Sequence, residues 1–201
     1  MVAPWTLKEV REVVSFRIGA LVHLRGRSPR TNETHDFYEL RFPDWVNVVP
    51  VTPDGRVLLI RQFRAGSREL TLEIPGGLME PGETPLESAR RELLEETGYD
   101  TDDWRMLGNV RPNPAIQGNR CHTLLARNVR PVAEQRLEPA EDIDVVPTPL
   151  EEVPGMIESG AIDHTLVLSA FLRLWLAGGA AGALASASRP GAAARPRSGE
   201  R

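Results

Sequence analysis

The segment from residue 76 to residue 100 (GGLMEPGETPLESARRELLEETGYD) constrains this chain more than any other. Thr84 followed by Glu87 three positions later is typical of a capping box, in which each side chain pairs with the other's backbone N–H. Pro85 favours the first helical turn, where its missing N–H costs nothing, and Gly98 favours a helix end. The segment therefore predicts a glycine-containing loop followed by a helix that begins at Pro85.

This predicted helix carries an unusual concentration of negative charge on one face. Glu92, Glu95 and Glu96 are spaced i, i+3 and i+4, so they share a face and repel each other. Glu80 and Glu83 add two carboxylates in the preceding loop. A solvated acidic face with local ion pairs is one interpretation. The other is a site for a hard divalent cation such as Mg²⁺, which binds carboxylate, carbonyl and phosphate oxygens.

The spacing of the segment carries a family resemblance. Five residues separate Gly77 from Glu83, and seven more precede the run RELLEETG at residues 91–98. This pattern resembles the signature box of the Nudix hydrolases, with Tyr99 standing where that family usually has an aliphatic residue. The resemblance implies an α/β/α sandwich with a mixed sheet over roughly residues 10–177, in which the box forms a loop-helix-loop metal platform.

The resemblance also implies roles for individual residues of the box. The implied metal ligands are the main-chain carbonyl of Gly76 and the side chains of Glu92, Glu95 and Glu96, with Mg²⁺ as the expected ion and Mn²⁺ as the alternative. Arg91 would orient the carboxylates beside Gly77, and Glu83 would support the helix by an ion pair or reach the metals through water. A diphosphate approaching a chain of net charge −4 needs such cations.

Features outside the box resemble the ADP-ribose pyrophosphatase branch of the family. Arg64 and Glu73 match positions that contact substrate there, and Pro114 lies fifteen residues after Tyr99. Each also has an ordinary interpretation, as a strand-end arginine, a strand glutamate and a turn proline. The resemblance further implies N-terminal strands that exchange across a homodimer, with Trp45 or Trp5 as an aromatic that stacks on adenine or packs in the core.

A general base is expected from the acidic loop at residues 137–143. Glu141 is the first candidate and Glu138 the second, and a solvated loop charge is the competing interpretation of both. Cys121 and His122 fall on a predicted interior strand, so we interpret both as structural.

These residues lead to one main functional hypothesis. It is Mg²⁺-dependent hydrolysis of the diphosphate linkage in a nucleoside diphosphate derivative, with ADP-ribose cleaved to AMP and ribose 5-phosphate as the leading example. A nucleotide-sugar or nucleoside triphosphate pyrophosphohydrolase of the same fold is the second hypothesis. A nucleotide-sensing module without catalysis is the third, although the intact box glutamates argue against it.

The rest of the chain predicts strands more than helices. Short apolar runs between turn signals predict strands at 13–22, 37–42, 46–51, 56–63, 70–74, 104–110, 121–126 and 143–146, with a hairpin around Pro53-Asp54-Gly55. Helices are predicted at 85–97, 150–159 and 164–177. We divide the chain into N-terminal strands (1–44), a Nudix domain (45–177) and a disordered tail rich in Ala, Gly, Arg and Pro (178–201).

The composition limits the classes of binding partner and the compartment that we expect. A net charge of −4 gives no basic excess that would indicate nucleic acid or an anionic membrane. One cysteine, no apolar run long enough to span a bilayer and no signal-peptide core favour the cytoplasm.

Overall fold

A computed structural model describes residues 2–178, so the predicted tail lies outside the described residues apart from Gly178. The described chain forms three α-helices, α1 (Pro85–Thr97), α2 (Val153–Glu158) and α3 (Thr165–Ala177). Its strands are β1 (Thr6–Phe16), β2 (Gly19–Arg27), β3 (Thr34–Arg41), β4 (Trp45–Val51), β5 (Arg56–Arg64), β6 (Glu69–Glu73), β7 (Gly76–Leu78), β8 (Tyr99–Asp100), β9 (Asp103–Val110), β10 (Cys121–Arg127), β11 (Arg130–Pro131) and β12 (Ile143–Pro149).

A seven-stranded mixed sheet forms the centre of the fold. Five strands run in the order β12-β5-β4-β10-β9, while β6 pairs with β5 and β7 pairs with β4. The β4–β10 pair is parallel and the other pairs are antiparallel. Val51 opposite Val57 closes the predicted hairpin at the Pro53-Asp54-Gly55 turn. The mixed sheet agrees with the expected fold.

Alternating side chains of the sheet fill two separate cores. Leu58 of β5 faces one core together with Ala89 and Leu93 of α1. Its neighbour Leu59 faces the other core, where Phe171 of α3 is fully buried. Because successive strand residues point to opposite faces, the sheet separates two helical layers, and the predicted α/β/α sandwich is confirmed.

Helix α1 has the ends that the sequence predicts. The Thr84 hydroxyl accepts a hydrogen bond from the Glu87 N–H, and the Glu87 carboxylate accepts one from the Thr84 N–H at 2.8 Å. Gly98 ends the helix in the left-handed conformation (φ 74°) and donates its N–H to Leu94. Tyr99, the departure from the family pattern, packs against the core beneath α1.

The N-terminal strands form a separate three-stranded antiparallel sheet, β1-β2-β3. The strand predicted at residues 13–22 is wrong, because β1 and β2 form a hairpin with Arg17 and Ile18 at its turn. Neither residue is a typical turn residue, so Gly19 was the only sequence signal for this reversal of the chain. A Cβ at Gly19 would overlap the carbonyl oxygen of Arg41. Every residue of β1 is exposed, including Val13 and Val14.

Two further predictions need adjustment. The helix predicted at 150–159 is a 3₁₀ turn (Leu150–Glu152) followed by α2, and Pro154 occupies the first turn of α2, where it needs no acceptor. The short strands β7, β8 and β11 were not predicted, since two or three residues carry no periodic pattern. Cys121 is buried in β10 as expected, and burial raises the pKa of its thiol to about 12. Within residues 2–178, the helices are too short or too polar to cross a bilayer.

Candidate active site

Helix α1 turns two of its three clustered glutamates inward. Glu96 is 4% exposed, and the Glu92 side chain is 12% exposed, whereas 42% of the Glu95 side chain faces solvent. The acidic face predicted from the sequence is therefore not a solvated face: two of its carboxylates lie in the protein and one lies at the rim.

Arg91 ties this acidic group to the loop before the helix. Its guanidinium donates to both carboxylate oxygens of Glu83, at 2.8 and 3.0 Å, and to the carbonyl of Leu78 at 3.0 Å. Its Nη1 also donates to Glu92 at 2.9 Å and to Glu95 at 3.2 Å. One side chain thus ties the loop and two glutamates together through charge-assisted hydrogen bonds.

Burial and mutual repulsion perturb the titration of these carboxylates. Burial, together with smaller effects of the Glu95 and Glu141 charges, raises the pKa of Glu92 to about 7 despite the nearby Arg91. Burial, followed by the charge of Glu92, raises the pKa of Glu96 well above its ordinary value. By contrast, the hydrogen bonds from Arg91 lower the pKa of Glu83 to about 2. Such opposed shifts are typical of functional sites.

The two box glycines allow the backbone to approach these carboxylates closely. The Gly76 N–H donates to Glu96 Oε2 at 2.9 Å, and a Cβ at Gly76 would overlap the Val46 carbonyl oxygen. A Cβ at Gly77 would overlap the carboxylate of Glu92. Within residues 2–178, however, no three His, Cys, Asp or Glu side chains are already gathered as a metal-binding group. The carboxylates are close to one another but not yet arranged around one point.

A cleft of about 550 Å³ borders this platform. Strand β7 with its box glycines forms part of the lining, and Arg64 and Glu73, both predicted to contact substrate, form another part. Arg64 donates from Nε and Nη2 to the two carboxylate oxygens of Glu73, each at 2.7 Å, and Thr71 donates to the same carboxylate at 2.7 Å. The structure therefore places the glycines at the start of the box, Arg64 and Glu73 around one cavity.

The Arg64–Glu73 pair is asymmetric in its exposure. Only 3% of the Glu73 side chain is exposed, compared with 44% for Arg64. Burial alone would raise the pKa of Glu73, but the hydrogen bonds and charge of Arg64, with smaller effects of Thr71 and His164, outweigh it and leave the pKa lowered. Glu73 is thus a buried anion that depends on Arg64.

The loop that carries the candidate bases is attached to the end of α1. Gln135 donates to the carbonyl of Glu96 at 2.6 Å, and the Arg136 N–H donates to the carbonyl of Glu95 at 2.8 Å. Glu141 lies near enough for its charge to raise the pKa of Glu92 and of Glu96.

Glu138, the second candidate, is positioned differently. Its carboxylate pairs with Arg17 in the β1–β2 turn at 3.2 Å, and its N–H donates to Glu141 at 2.8 Å. Glu138 is therefore tied both to the N-terminal sheet and to Glu141 within its own loop.

The remaining predicted contacts divide between the cleft and the surface. Trp45 lines the cleft, whereas Trp5 packs edge-on against His35 and Phe37 of the N-terminal sheet. Pro114 is exposed in a loop that joins β3 through the Leu40 N–H, and it is not among the residues that line the cleft.

Several residues that line the cleft were missed by sequence reasoning, among them Ile18, Asn47, Asp163 and His164. None belongs to a motif. Asn47 could have been found only from the register that puts it opposite Gly76, which is a non-local pairing.

Comparisons with known proteins agree with this geometry. The family model described as the NUDIX domain matches residues 41–169. The chain is 32% identical over 121 residues to an ADP-ribose pyrophosphatase of Bacillus subtilis (60% of this chain, 65% of that protein). It is 30% identical over 135 residues to the ADP compounds hydrolase NudE of Escherichia coli (66% and 72%), and 35% identical over 121 residues to a GDP-mannose pyrophosphatase of Yersinia enterocolitica (55% and 61%).

A solved structure shares the fold. The crystal structure of an ADP compounds hydrolase aligns with a TM-score of 0.78 at 24% identity, over 89% of this chain and 97% of that one. A mixed sheet between two helical layers, with a loop-helix-loop that carries clustered carboxylates, defines the class of Nudix-type α/β/α domains. With the family model matched over residues 41–169, the chain belongs to the Nudix hydrolase family.

Proposed function

We propose that this protein hydrolyses the diphosphate linkage of nucleoside diphosphate derivatives with the help of Mg²⁺, and that ADP-ribose, cleaved to AMP and ribose 5-phosphate, is its main substrate. The observation that carries the proposal is that Glu96 and Glu92 lie against Gly76 and Gly77, which line the same cleft as the Arg64–Glu73 pair. Relatives named for ADP-ribose and ADP compounds support the choice of substrate.

The residues of the platform fit a divalent cation. The charge of Glu92 contributes to raising the pKa of Glu96, and a cation bound by both carboxylates would remove that repulsion. Glu95 at the rim and the Gly76 carbonyl complete the proposed ligand set, with Mn²⁺ as an alternative to Mg²⁺. The cation would neutralise phosphate charge and polarise the bond to be broken. The hydrogen bond from Arg91 holds the Glu92 carboxylate in place. Gly77 leaves room for this carboxylate, because a Cβ at that position would overlap it.

The chain's own residues complete the proposed reaction. Arg64 binds a phosphate or the nucleoside half at the cleft, with Glu73 fixing the direction of its guanidinium. Glu141 accepts the proton of the water that attacks phosphorus, and the bridging P–O bond breaks to release a phosphomonoester. Glu138 supports this loop, Glu83 supports Arg91, and Pro114 is proposed to face the terminal ribose.

A nucleotide sugar is the second candidate substrate. The similarity to a GDP-mannose pyrophosphatase favours this candidate. Proteins of one fold can differ in substrate, because the choice depends on the residues that line the cleft.

The experiment is a substrate panel with Mg²⁺. Purified protein is incubated with ADP-ribose, diadenosine polyphosphates, nucleotide sugars, NADH and nucleoside triphosphates, and products are separated by chromatography. Glu96→Gln should lower kcat by at least about a hundredfold, whereas Glu158→Gln, an exposed glutamate of α2, should not change it. A nucleotide sugar cleaved faster than ADP-ribose would select the second candidate. Tight binding without cleavage of any compound would overturn the hydrolase proposal.

We also propose a homodimer, with residues 1–44 as the dimer-forming unit and 45–177 as the catalytic domain. The support is β1, which is exposed along its whole length and carries half-exposed apolar side chains such as Val14 and Phe16. A second copy of the chain would cover them. Sedimentation velocity should give a dimer for the wild type and a monomer for Val14→Asp; a monomeric wild type would refute the dimer proposal.

We further propose that the protein works in a reducing compartment such as the cytoplasm, because the buried Cys121 is unpaired.

A further inference from the structure

The loop at residues 137–142, which carries the proposed base Glu141, is attached to the fold at both of its ends. Before the loop, Gln135 donates to the carbonyl of Glu96 at 2.6 Å, and after it strand β12 begins at Ile143. Between these ends, one hydrogen bond joins the loop to another element of the described chain. That contact therefore has more influence on the loop than an exposed ion pair usually has on a rigid element.

This hydrogen bond comes from the N-terminal sheet. Arg17, in the turn between β1 and β2, donates from Nη1 to the Glu138 carboxylate at 3.2 Å. The Glu138 N–H donates to the Glu141 carboxylate at 2.8 Å, and the Glu141 N–H donates to the Glu138 carbonyl at 2.9 Å. Arg17 is thus connected, through one residue, to the carboxylate of the proposed base.

The turn that carries Arg17 is anchored beside the cleft. Ile18, the next residue, is part of the cleft lining. On the other side of Arg17, the Phe16 ring packs edge-on against Phe42, with 6.1 Å between the ring centroids. Phe42 packs in turn against Trp45, which also lines the cleft, at 5.8 Å. Arg17 therefore reaches the loop from an element that aromatic packing attaches to β4.

Electrostatic repulsion gives this contact a purpose. The charge of Glu141 is a minor influence, after burial, that raises the pKa values of the two buried glutamates of α1, so the loop and the helix repel each other. Arg64 also interacts with the charge of Glu141, but its hydrogen bonds go to Glu73. In the part of the chain that the structure describes, Arg17 is the basic side chain that pairs directly with a carboxylate of this loop.

We infer that Arg17 is a positioning residue for the proposed reaction: through Glu138 it holds the loop beside α1, and with the loop it holds Glu141. The inference rests on the proposed function, because it explains how the base of that reaction is placed. The ion pair is exposed, with 79% of the Arg17 side chain and 60% of the Glu138 side chain in solvent, so it adds little to the stability of the whole protein. Its effect is on the loop, where a small displacement of a reacting group costs rate.

The first test is steady-state kinetics with Mg²⁺ and the best substrate of the panel. Arg17→Ala should lower kcat about fivefold with KM within about twofold, because an exposed ion pair changes the population of one loop position by up to about that factor. Arg17→Lys keeps the charge and should keep most of kcat. Arg11→Ala, which removes another exposed arginine of the same hairpin, is the matched control and should not change kcat.

The second test exchanges the two charges. Arg17→Glu places another carboxylate against the loop and should lower kcat about tenfold or more. Adding Glu138→Arg restores an attractive pair and should bring kcat back to within about threefold of wild type, since the N–H at position 138 still donates to Glu141. No recovery in the double variant would overturn the inference, because it would mean that Arg17 acts by another route or that Glu138 is itself the base.

Hydrogen exchange measured by mass spectrometry, without substrate or metal, gives a readout that does not depend on catalysis. The peptide that covers residues 137–142 should exchange about fivefold faster in Arg17→Ala than in wild type, while peptides of α1 and α3 should not change. Sedimentation velocity should give the same oligomeric state for both proteins. Unchanged exchange of the loop would overturn the inference, and so would faster exchange with an unchanged kcat. If no diphosphate is cleaved but the loop exchange responds, the hydrolase proposal fails and the role of Arg17 in holding the loop stands.

Discussion

Replacing Arg64 with alanine should destabilise the fold far more than replacing Glu73 with glutamine. Arg64→Ala leaves the Glu73 carboxylate 3% exposed with Thr71 as its remaining side-chain donor. Removing one partner of a buried ion pair costs about 3–5 kcal/mol. Because 44% of the Arg64 side chain already reaches solvent, we discount this to about 2–4 kcal/mol. Glu73→Gln should cost about 1 kcal/mol, since the guanidinium it leaves can be hydrated.

The assay is urea unfolding of four proteins: wild type, each single variant and the double variant. The double variant should be more stable than Arg64→Ala, because it removes the buried charge that the single variant leaves unpaired. Arg61→Ala, an exposed arginine in the same strand, is the control and should change stability by less than about 0.5 kcal/mol. Equal losses for Arg64→Ala and Glu73→Gln would refute the reasoning.

The same variants have a predictable pH dependence. In the wild type the pKa of Glu73 is lowered, so its contribution to stability is present above the pKa of the unfolded chain and is lost as the pH falls through the folded-state pKa. Without Arg64, burial would raise the pKa of Glu73, so the carboxylate is protonated more readily. The difference in stability between the wild type and Arg64→Ala should therefore shrink as the pH falls from 7 towards 4.5.

Three further outcomes follow from the platform and its helix. Thr84→Ala should lower the free energy of unfolding by about 1 kcal/mol, measured by urea titration, because it removes one half of the capping box. Gly77→Ala should lower kcat at least about tenfold, with a smaller effect on stability, because the new Cβ displaces the Glu92 carboxylate; unchanged kinetics would contradict this. At low Mg²⁺, activity should rise with pH around pH 7, as Glu92 ionises. This rise in the pH–activity profile should move to lower pH as Mg²⁺ is increased, and a rise that does not respond to Mg²⁺ would contradict the proposed ligand role.

The parts of the fold that sequence predicted well are those fixed by local chemistry. The start of α1 follows from Thr84, Pro85 and Glu87, which lie within four consecutive positions and act on each other. The β4–β5 hairpin likewise follows from a turn signal between two apolar runs. The β1–β2 hairpin escaped prediction because Arg17 and Ile18 form a turn that tertiary pairing, not local preference, imposes.

The candidate site also has a part that the sequence predicts and a part that depends on tertiary packing. The spacing of the box placed Glu92, Glu96 and Arg91 on one helix. Arg91 donates to Glu92 and Glu95, which follow it on that helix. Which of the three glutamates is buried could not be predicted, since it depends on how the loop before the helix folds back over it. The pKa differences between Glu92 and Glu83 arise from that packing and from the position of Arg91.

The residues that would decide the substrate lie outside any local pattern. Asn47 reaches the cleft through strand pairing opposite Gly76, and His164 reaches it because α3 crosses the far face of the sheet, more than a hundred residues along the chain from Trp45. A spacing rule describes residues that one helix presents together, and it therefore identifies the clustered carboxylates of α1. The rest of the cleft is assembled from elements far apart in the chain, so no spacing rule identifies the residues that line it.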